Sequence, residues 1–409
     1  MLTRLRELFA QKRYRTDLKQ FVEFGFGYGV VLVVGYLLLR KINLSLSAEE
    51  MGRFSYVQSL VMTLTPVFSL GANQAYLRFH DDHTISRNLR KLVAQLHWLS
   101  AMIVAVIVFG ATRSWMALAY AAYPFFLEKT YFLRAQMETW KFNILRILEL
   151  LVPLSLLYVL PNTNNANLVL MLYGGGFLVS FLFGSKKGNE TLIDQRVVLR
   201  YLLPMVPTAL MTVLTANICV LVTKRYLGYE AAGEMGVAVR ALLFTKSLST
   251  LFLMFFPMIY FREMTNCRFG VIKLYRAAML FIMGGFIIST MVFAPFLYRL
   301  LGAGAYLSTI WVFIILSASQ FFSFVIDTCC LYFGQEIKTW KNAIIQVLML
   351  SLILIGTFFW KDVAAAAHDK LISFAIIVLV STMIATTVGV VWAMFGERKY
   401  MKEFFKEEN

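Results

Sequence analysis

The apolar runs of this chain recur in blocks of about 17–25 residues, the length a helix needs to cross ~30 Å of hydrocarbon. Inside a bilayer no water satisfies backbone N–H and C=O groups, so such blocks fold as helices that close their own hydrogen bonds. Twelve blocks can be placed, near residues 19–39, 54–77, 92–111, 114–133, 143–160, 166–184, 201–223, 232–261, 274–298, 305–333, 342–360 and 371–395. No loop between them is long enough to fold as a soluble domain. Hydrophobic residues make up 59% of the 409 and charged residues 15%, against about 25% charged in soluble domains. The expected fold is all-α and integral to the membrane, with about 12 transmembrane helices.

A net charge of +16 would ordinarily raise a nucleic-acid partner, yet the basic residues sit between the apolar blocks, as membrane topology requires. Alternating the twelve spans from a cytoplasmic start puts 28 of the 39 Lys and Arg on the inner side and nine on the outer; Arg240 and Lys246 fall inside the eighth span. This bias places both termini in the cytoplasm and accounts for the charge without nucleic acid. Cys219, Cys267, Cys329 and Cys330 have no metal-ligand spacing and imply no disulfide framework. Arg4, Arg6, Lys12, Arg13 and Arg15 precede the first apolar run as in a signal peptide. No small-residue cleavage site follows, so the run reads as an uncleaved first span.

The chain also repeats itself. Arg40-Lys41, Glu50-Met51-Gly52 and Tyr76-Leu77-Arg78 recur as Lys224-Arg225, Glu234-Met235-Gly236 and Tyr260-Phe261-Arg262, each 184 residues later. Thr139-Trp140-Lys141 recurs as Thr339-Trp340-Lys341, 200 residues later. A repeat of six spans is even, so the two copies face the same way, related by an axis along the membrane normal. The expected division is a basic interfacial segment over 1–18, a six-helix lobe over 19–184, a cytoplasmic linker over 185–200, a second six-helix lobe over 201–395 and a cytoplasmic tail over 396–409.

The same stretches carry a family likeness. Ser47-Ala48-Glu49-Glu50-Met51-Gly52, leading to Gly71 and Arg78, resembles the opening motif of bacterial polysaccharide flippases. These are the O-antigen (Wzx-type) members of the multidrug/oligosaccharidyl-lipid/polysaccharide exporter (MOP) superfamily. Leu227-Gly228, Ala231-Ala232-Gly233 and Val237-Ala238-Val239-Arg240 resemble the family's second-lobe motif. Leu133-Arg134-Ala135 through Trp140-Lys141 to Ile144 resembles its fourth-to-fifth-span loop. The resemblance implies a two-lobed carrier, with no catalytic residues, cofactor or metal. It implies a polyprenyl-pyrophosphate-linked oligosaccharide (an O-antigen, capsule or other polysaccharide unit) moved to the outer leaflet of the bacterial inner membrane by alternating access. A polysaccharide polymerase and glycosyltransferases are the partners such a role implies. One departure stands out: members often carry an Asp in the seventh span where this chain has Cys219-Val220, so that acid's role is not carried over.

The chemistry such a substrate needs selects the candidate residues. A diphosphate favours Arg and Lys through charge-assisted hydrogen bonds, and sugars favour aromatic faces. With the eighth helix starting near Ala232, Arg240 lies roughly 12 Å along it and Lys246 roughly 21 Å, where a charge implies a cavity or a partner. Outward snorkelling is the alternative for Arg240. Arg40, Lys41, Lys224 and Arg225 form repeated basic pairs at the outer mouth, where the inside bias does not explain them. Arg78 and Arg262 match across the lobes at the cytoplasmic mouth, as topological anchors or as the point of substrate admission. Asp327 and Glu128 are nearly equivalent across the repeat; such carboxylates carry a coupling ion, H+ or Na+, or neutralise a nearby lysine.

Three patterns are set aside. Gly25-Phe26-Gly27-Tyr28-Gly29 follows no strand and is not a nucleotide loop; Gly25 and Gly29 suggest close helix packing or a bend. His80-Asp81-Asp82-His83 reads as a solvated loop rather than a metal site. Residues 1–17 read as a basic helix on the inner membrane surface. Two rival functions remain. A multidrug exporter would need intramembrane acids to hold cationic drugs, and a membrane polymerase or glycosyltransferase would need a long outer loop or an acidic cluster.

Overall fold

The computed structural model describes residues 12–79, 85–136, 138–160, 163–184, 193–265, 268–335, 340–361 and 366–407. The His80-Asp81-Asp82-His83 run, residues 1–11 and the first half of the 185–200 linker lie outside them. Among the described residues every regular element is helical. In chain order they are α1 Lys12–Ser45, α2 Ala48–Phe68, α3 Asn73–Arg78, α4 Arg87–Thr112, α5 Tyr123–Ala135, α6 Thr139–Val159, α7 Ala166–Leu178 and α8 Gln195–Ala241. There follow α9 Leu243–Thr265, α10 Phe269–Val292, α11 Ala294–Leu300, α12 Ile310–Cys329, α13 Leu331–Gln335, α14 Trp340–Trp360 and α15 Ala367–Glu407. Seven helical runs are long and apolar enough to cross a membrane, and an eighth if Asn217–Ala241 and Thr245–Leu253 count as one broken span.

Most of the remaining apolar blocks fold as interrupted helices. The second block is α2 and α3, parted where Pro66 removes a backbone donor and where Leu70 and Gly71 take positive φ of 53° and 60°. The fourth is a 3₁₀ turn, Met116–Ala122, followed by α5; the sixth is α7 followed by a 3₁₀ turn, Val179–Leu182. Within α8 the chain leaves helical geometry at Gly228, where φ is +89°. Only glycine takes that value without strain. The seventh block therefore ends there, and the eighth begins just beyond it.

Contacts divide the chain into two compact units: Val22–Val237 with Arg299–Tyr306, and Met1–Phe21 with Ala238–Tyr298 and Leu307–Asn409. In the first unit, Tyr120, Tyr123 and Tyr173 pack around Phe177, the two nearest rings at 5.2 and 5.3 Å between centroids. In the second, hydroxyls tie α12 to α15: Ser319 meets Thr382 at 3.0 Å, and Thr386 donates to the Phe322 carbonyl at 3.2 Å. Small polar side chains of this kind let apolar helices approach and bond without a hydrophobic drive between them.

Candidate functional site

The first unit gathers α1, α2, α6, α7, the Gly228 turn and residues 299–306 at one end, the end that the Lys/Arg bias assigns to the outside. Ser47 caps α2 by accepting the Glu50 N–H at 3.3 Å, and Glu49 and Glu50 occupy the first turn, where the helix dipole favours acids. Arg53, one turn on, meets Glu49 at 2.8 Å and Glu50 at 3.4 Å. The other Glu50 oxygen accepts the Ala166 N–H at 2.7 Å, at the start of α7. Thr163 donates to Ser45 at 3.2 Å, and Lys41 stands 4.9 Å above the Tyr158 ring.

Lys224 has different company. Its ammonium lies 4.7 Å from the Tyr56 ring and 5.2 Å from the Tyr229 ring. The two rings stand edge to face at 6.1 Å, and Arg53 lies 5.7 Å from the Tyr229 ring. No ion pair is found for Lys224 among the described residues. Next to it in sequence, Arg225 is exposed.

Below the cradle two backbones touch. A Cβ added at Gly52 would meet the Tyr229 carbonyl oxygen at 1.7 Å, and one at Gly233 would meet the Ala48 carbonyl oxygen at 2.1 Å. The repeated Glu-Met-Gly motif thus marks the first turns of two helices that cross here, with Met51 and Met235 both fully buried. Residues 299–306 clamp onto α1 beside this crossing. Tyr36 donates to the Leu300 carbonyl and Asn43 to the Leu301 carbonyl, the latter at 2.9 Å. Gly302, at a φ of +65°, comes against Arg40 and Leu44.

A second polar feature lies inside the same unit. Asn143, Arg146 and Glu149 step along α6 at intervals of three, so they share one side of the helix. Counting from Thr139, Glu149 sits about 15 Å along the helix. Arg146 approaches Glu149 at 3.0 Å, an ion pair whose angle is not that of a hydrogen bond, and its guanidinium covers the Phe126 ring at 5.4 Å. Asn143 is 1% exposed, with neither amide atom hydrogen-bonded to any described residue. Gly27 makes room for it, since a Cβ there would come within 2.0 Å of its side chain. In the glycine run Gly27 is packed closely, whereas a Cβ at Gly29 would meet nothing within 4 Å.

The other nominated residues fall at separate places. Glu128 accepts the Tyr76 hydroxyl at 2.5 Å. Tyr260, 184 residues on, donates to Glu397 at 3.0 Å, and Glu397 also takes Arg276 at 2.6 and 3.2 Å. Equivalent tyrosines are thus anchored by carboxylates from different spans. Asp327, in α12, has no hydrogen bond or ion pair with any described residue. Arg240 is buried in the last turn of α8, and Lys246 is half-buried in the first turn of α9. A helix break separates them, so an angular spacing reckoned for one unbroken helix does not apply. The side chains of Arg78 and Arg262 lie outside the described residues.

Sequence reasoning had not nominated Arg53, Tyr56, Tyr229, Arg146 or Glu149. The ion pairs left a signal: Glu49 and Arg53 are four apart, and Arg146 and Glu149 are three apart within an apolar block. The tyrosines left none, since aromatics collect at membrane interfaces generally.

No known protein-family signature and no curated protein matches the sequence. Solved structures do. An inward-facing multidrug resistance MATE family transporter of the MOP superfamily aligns over 92% of this chain and 99% of its own, with a TM-score of 0.64 and 14% identity. An outward-facing one aligns over 94% and 97%, with a TM-score of 0.63 and 14% identity. Near-equal scores against opposite conformations make this a likeness of fold rather than of conformational state. The chain has the all-α, two-lobed membrane-transporter fold of the MATE proteins.

Proposed function

We propose that this chain is a flippase. It moves a polyprenyl-pyrophosphate-linked oligosaccharide from the cytoplasmic to the outer leaflet by alternating access, without catalytic chemistry. The observation that carries the reading is the pairing of three basic side chains at the outer mouth with tyrosine faces: Lys41 with Tyr158, and Arg53 and Lys224 with Tyr229. Bases bind diphosphate and aromatic faces bind sugar, so one surface offers both. The buried carboxylate of the first unit, Glu149, already has Arg146 beside it, which disfavours holding a cationic drug there. In this reading the chain is a multi-pass protein of the bacterial inner membrane with both termini cytoplasmic. It works beside a polysaccharide polymerase and glycosyltransferases.

A multidrug exporter of the same superfamily is the second reading. Asp327 favours it, because a carboxylate without a partner among the described residues suits a cationic solute or a coupling H+ or Na+. The two readings separate in a strain lacking the chain. Loss of surface polysaccharide, restored by the gene, supports the flippase; raised accumulation of cationic dyes with normal polysaccharide supports the exporter. Arg240→Ala and Lys246→Ala are expected to cut export roughly tenfold or more at unchanged protein level, as each removes a charged partner worth ~1.5–3 kcal/mol. Wild-type export in both would remove the cationic path.

Topology is tested separately. Reporter fusions after residues 188 and 267 are expected to score cytoplasmic, and those after 163 and 303 extracytoplasmic, from the Lys/Arg bias. One reversal sinks the map.

A further inference from the structure

We propose that Lys224 is the group through which the substrate's diphosphate opens the outer mouth; the inference rests on the flippase reading. Among the bases at this end, Lys224 and Arg53 flank one ring, Tyr229, yet they are held differently. Arg53 is ion-paired to Glu49 and Glu50, and Glu50 is itself fixed to the start of α7. Lys224 is cradled by the faces of Tyr56 and Tyr229, and no carboxylate of the described residues pairs with it. A ring face is a weak partner for an ammonium that stays half in water, whereas a phosphate oxygen offers a charge-assisted hydrogen bond. A diphosphate reaching this mouth therefore draws Lys224 out of its cradle and leaves Arg53 in place.

What the cradle joins makes that exchange consequential. Tyr56 belongs to α2, and Tyr229 follows Gly228 in the other helix of the Gly52–Gly233 crossing. With its ammonium against both rings, Lys224 helps hold the crossing shut; bound to phosphate, it no longer does. A ligand that binds the open state better than the closed one shifts the population towards opening. Only a substrate that has reached the outer side meets Lys224, so opening and release are linked in the order that export needs.

The test uses the full chain in vesicles, with Ser55→Cys as reporter and Cys219, Cys267, Cys329 and Cys330 replaced by Ser. Ser55 is 2% exposed, one turn beyond Met51 on α2. Its alkylation by an impermeant maleimide is expected to rise several-fold with inorganic pyrophosphate outside, and likewise with a polyprenyl diphosphate in the vesicle. Lys224→Gln is expected to abolish both responses and Lys224→Arg to keep them. An equal response in Lys224→Gln, or no response in the parent, overturns the proposal. A response to inorganic pyrophosphate alone also overturns it, by making Lys224 a general anion contact. A parent that responds to both ligands, yet moves no lipid-linked glycan, sinks the flippase reading and leaves the Lys224 response standing.

Discussion

Alanine at Gly52 or Gly233 is expected to reduce transport at least fivefold while the protein remains in the membrane, and to speed alkylation of a cysteine at Ser55. Each added Cβ would meet backbone, the Tyr229 or the Ala48 carbonyl oxygen, at 1.7 and 2.1 Å. No side-chain rotation relieves such a contact, so the two first turns must separate. Overpacking of this kind costs about 1–3 kcal/mol, which is roughly five- to 150-fold in the ratio of two conformations. A carrier that cycles between conformations is slowed by a bias of that size even if it folds. Gly29→Ala is the control: a Cβ there meets nothing within 4 Å, and the change is expected to be neutral or slightly stabilising. Normal transport with unchanged alkylation in both crossing variants would show that the contact does not govern the cycle.

The second large effect is on stability. Glu149→Ala is expected to destabilise the protein by about 3–5 kcal/mol, because it leaves Arg146 within an apolar span without its carboxylate partner. The pair lies on α6 at 3.0 Å, with Glu149 buried. Replacing both residues with apolar ones of similar volume, Arg146→Met with Glu149→Leu, is expected to restore most of the loss, since no charge then remains to be desolvated. Thermal unfolding in detergent gives the comparison. If the double variant melts as low as Glu149→Ala, the pair does more than neutralise itself, and a bound ligand becomes the better account. The 200-residue offset aligns Arg146 and Glu149 with Gln346 and Met349, so only the first lobe carries this pair.

The nominated residues show how far reading the chain could go. Glu50-Met51-Gly52 was visible as a repeated motif, and its place at a helix start follows from an acid and a serine cap ahead of an apolar run. That Gly52 meets Gly233, three residues before its own repeat-mate Gly236, was not visible. The crossing pairs first turns from different halves of the chain, and spacing within one half says nothing of it. Lys224 drew attention because a basic pair recurred where topology did not ask for it. Arg53, in the same region, drew no such attention, yet among the described residues there it is the base with ion-pair partners. Glu128 and Asp327 looked equivalent by position; among the described residues only Glu128 has its tyrosine.

Sequence alone determined that this chain lives in a membrane, where its apolar blocks lie and that its two halves repeat. Those properties are one-dimensional: hydrocarbon thickness sets block length, and backbone satisfaction forces helices. The tertiary structure alone decided which charges have partners. Lys224 and Tyr56 are 168 residues apart, and Glu50 and Ala166 are 116 apart. In a chain whose spans are apolar all round, hydropathy does not say which face of a helix turns inward. Side-chain packing and the few available polar contacts settle that.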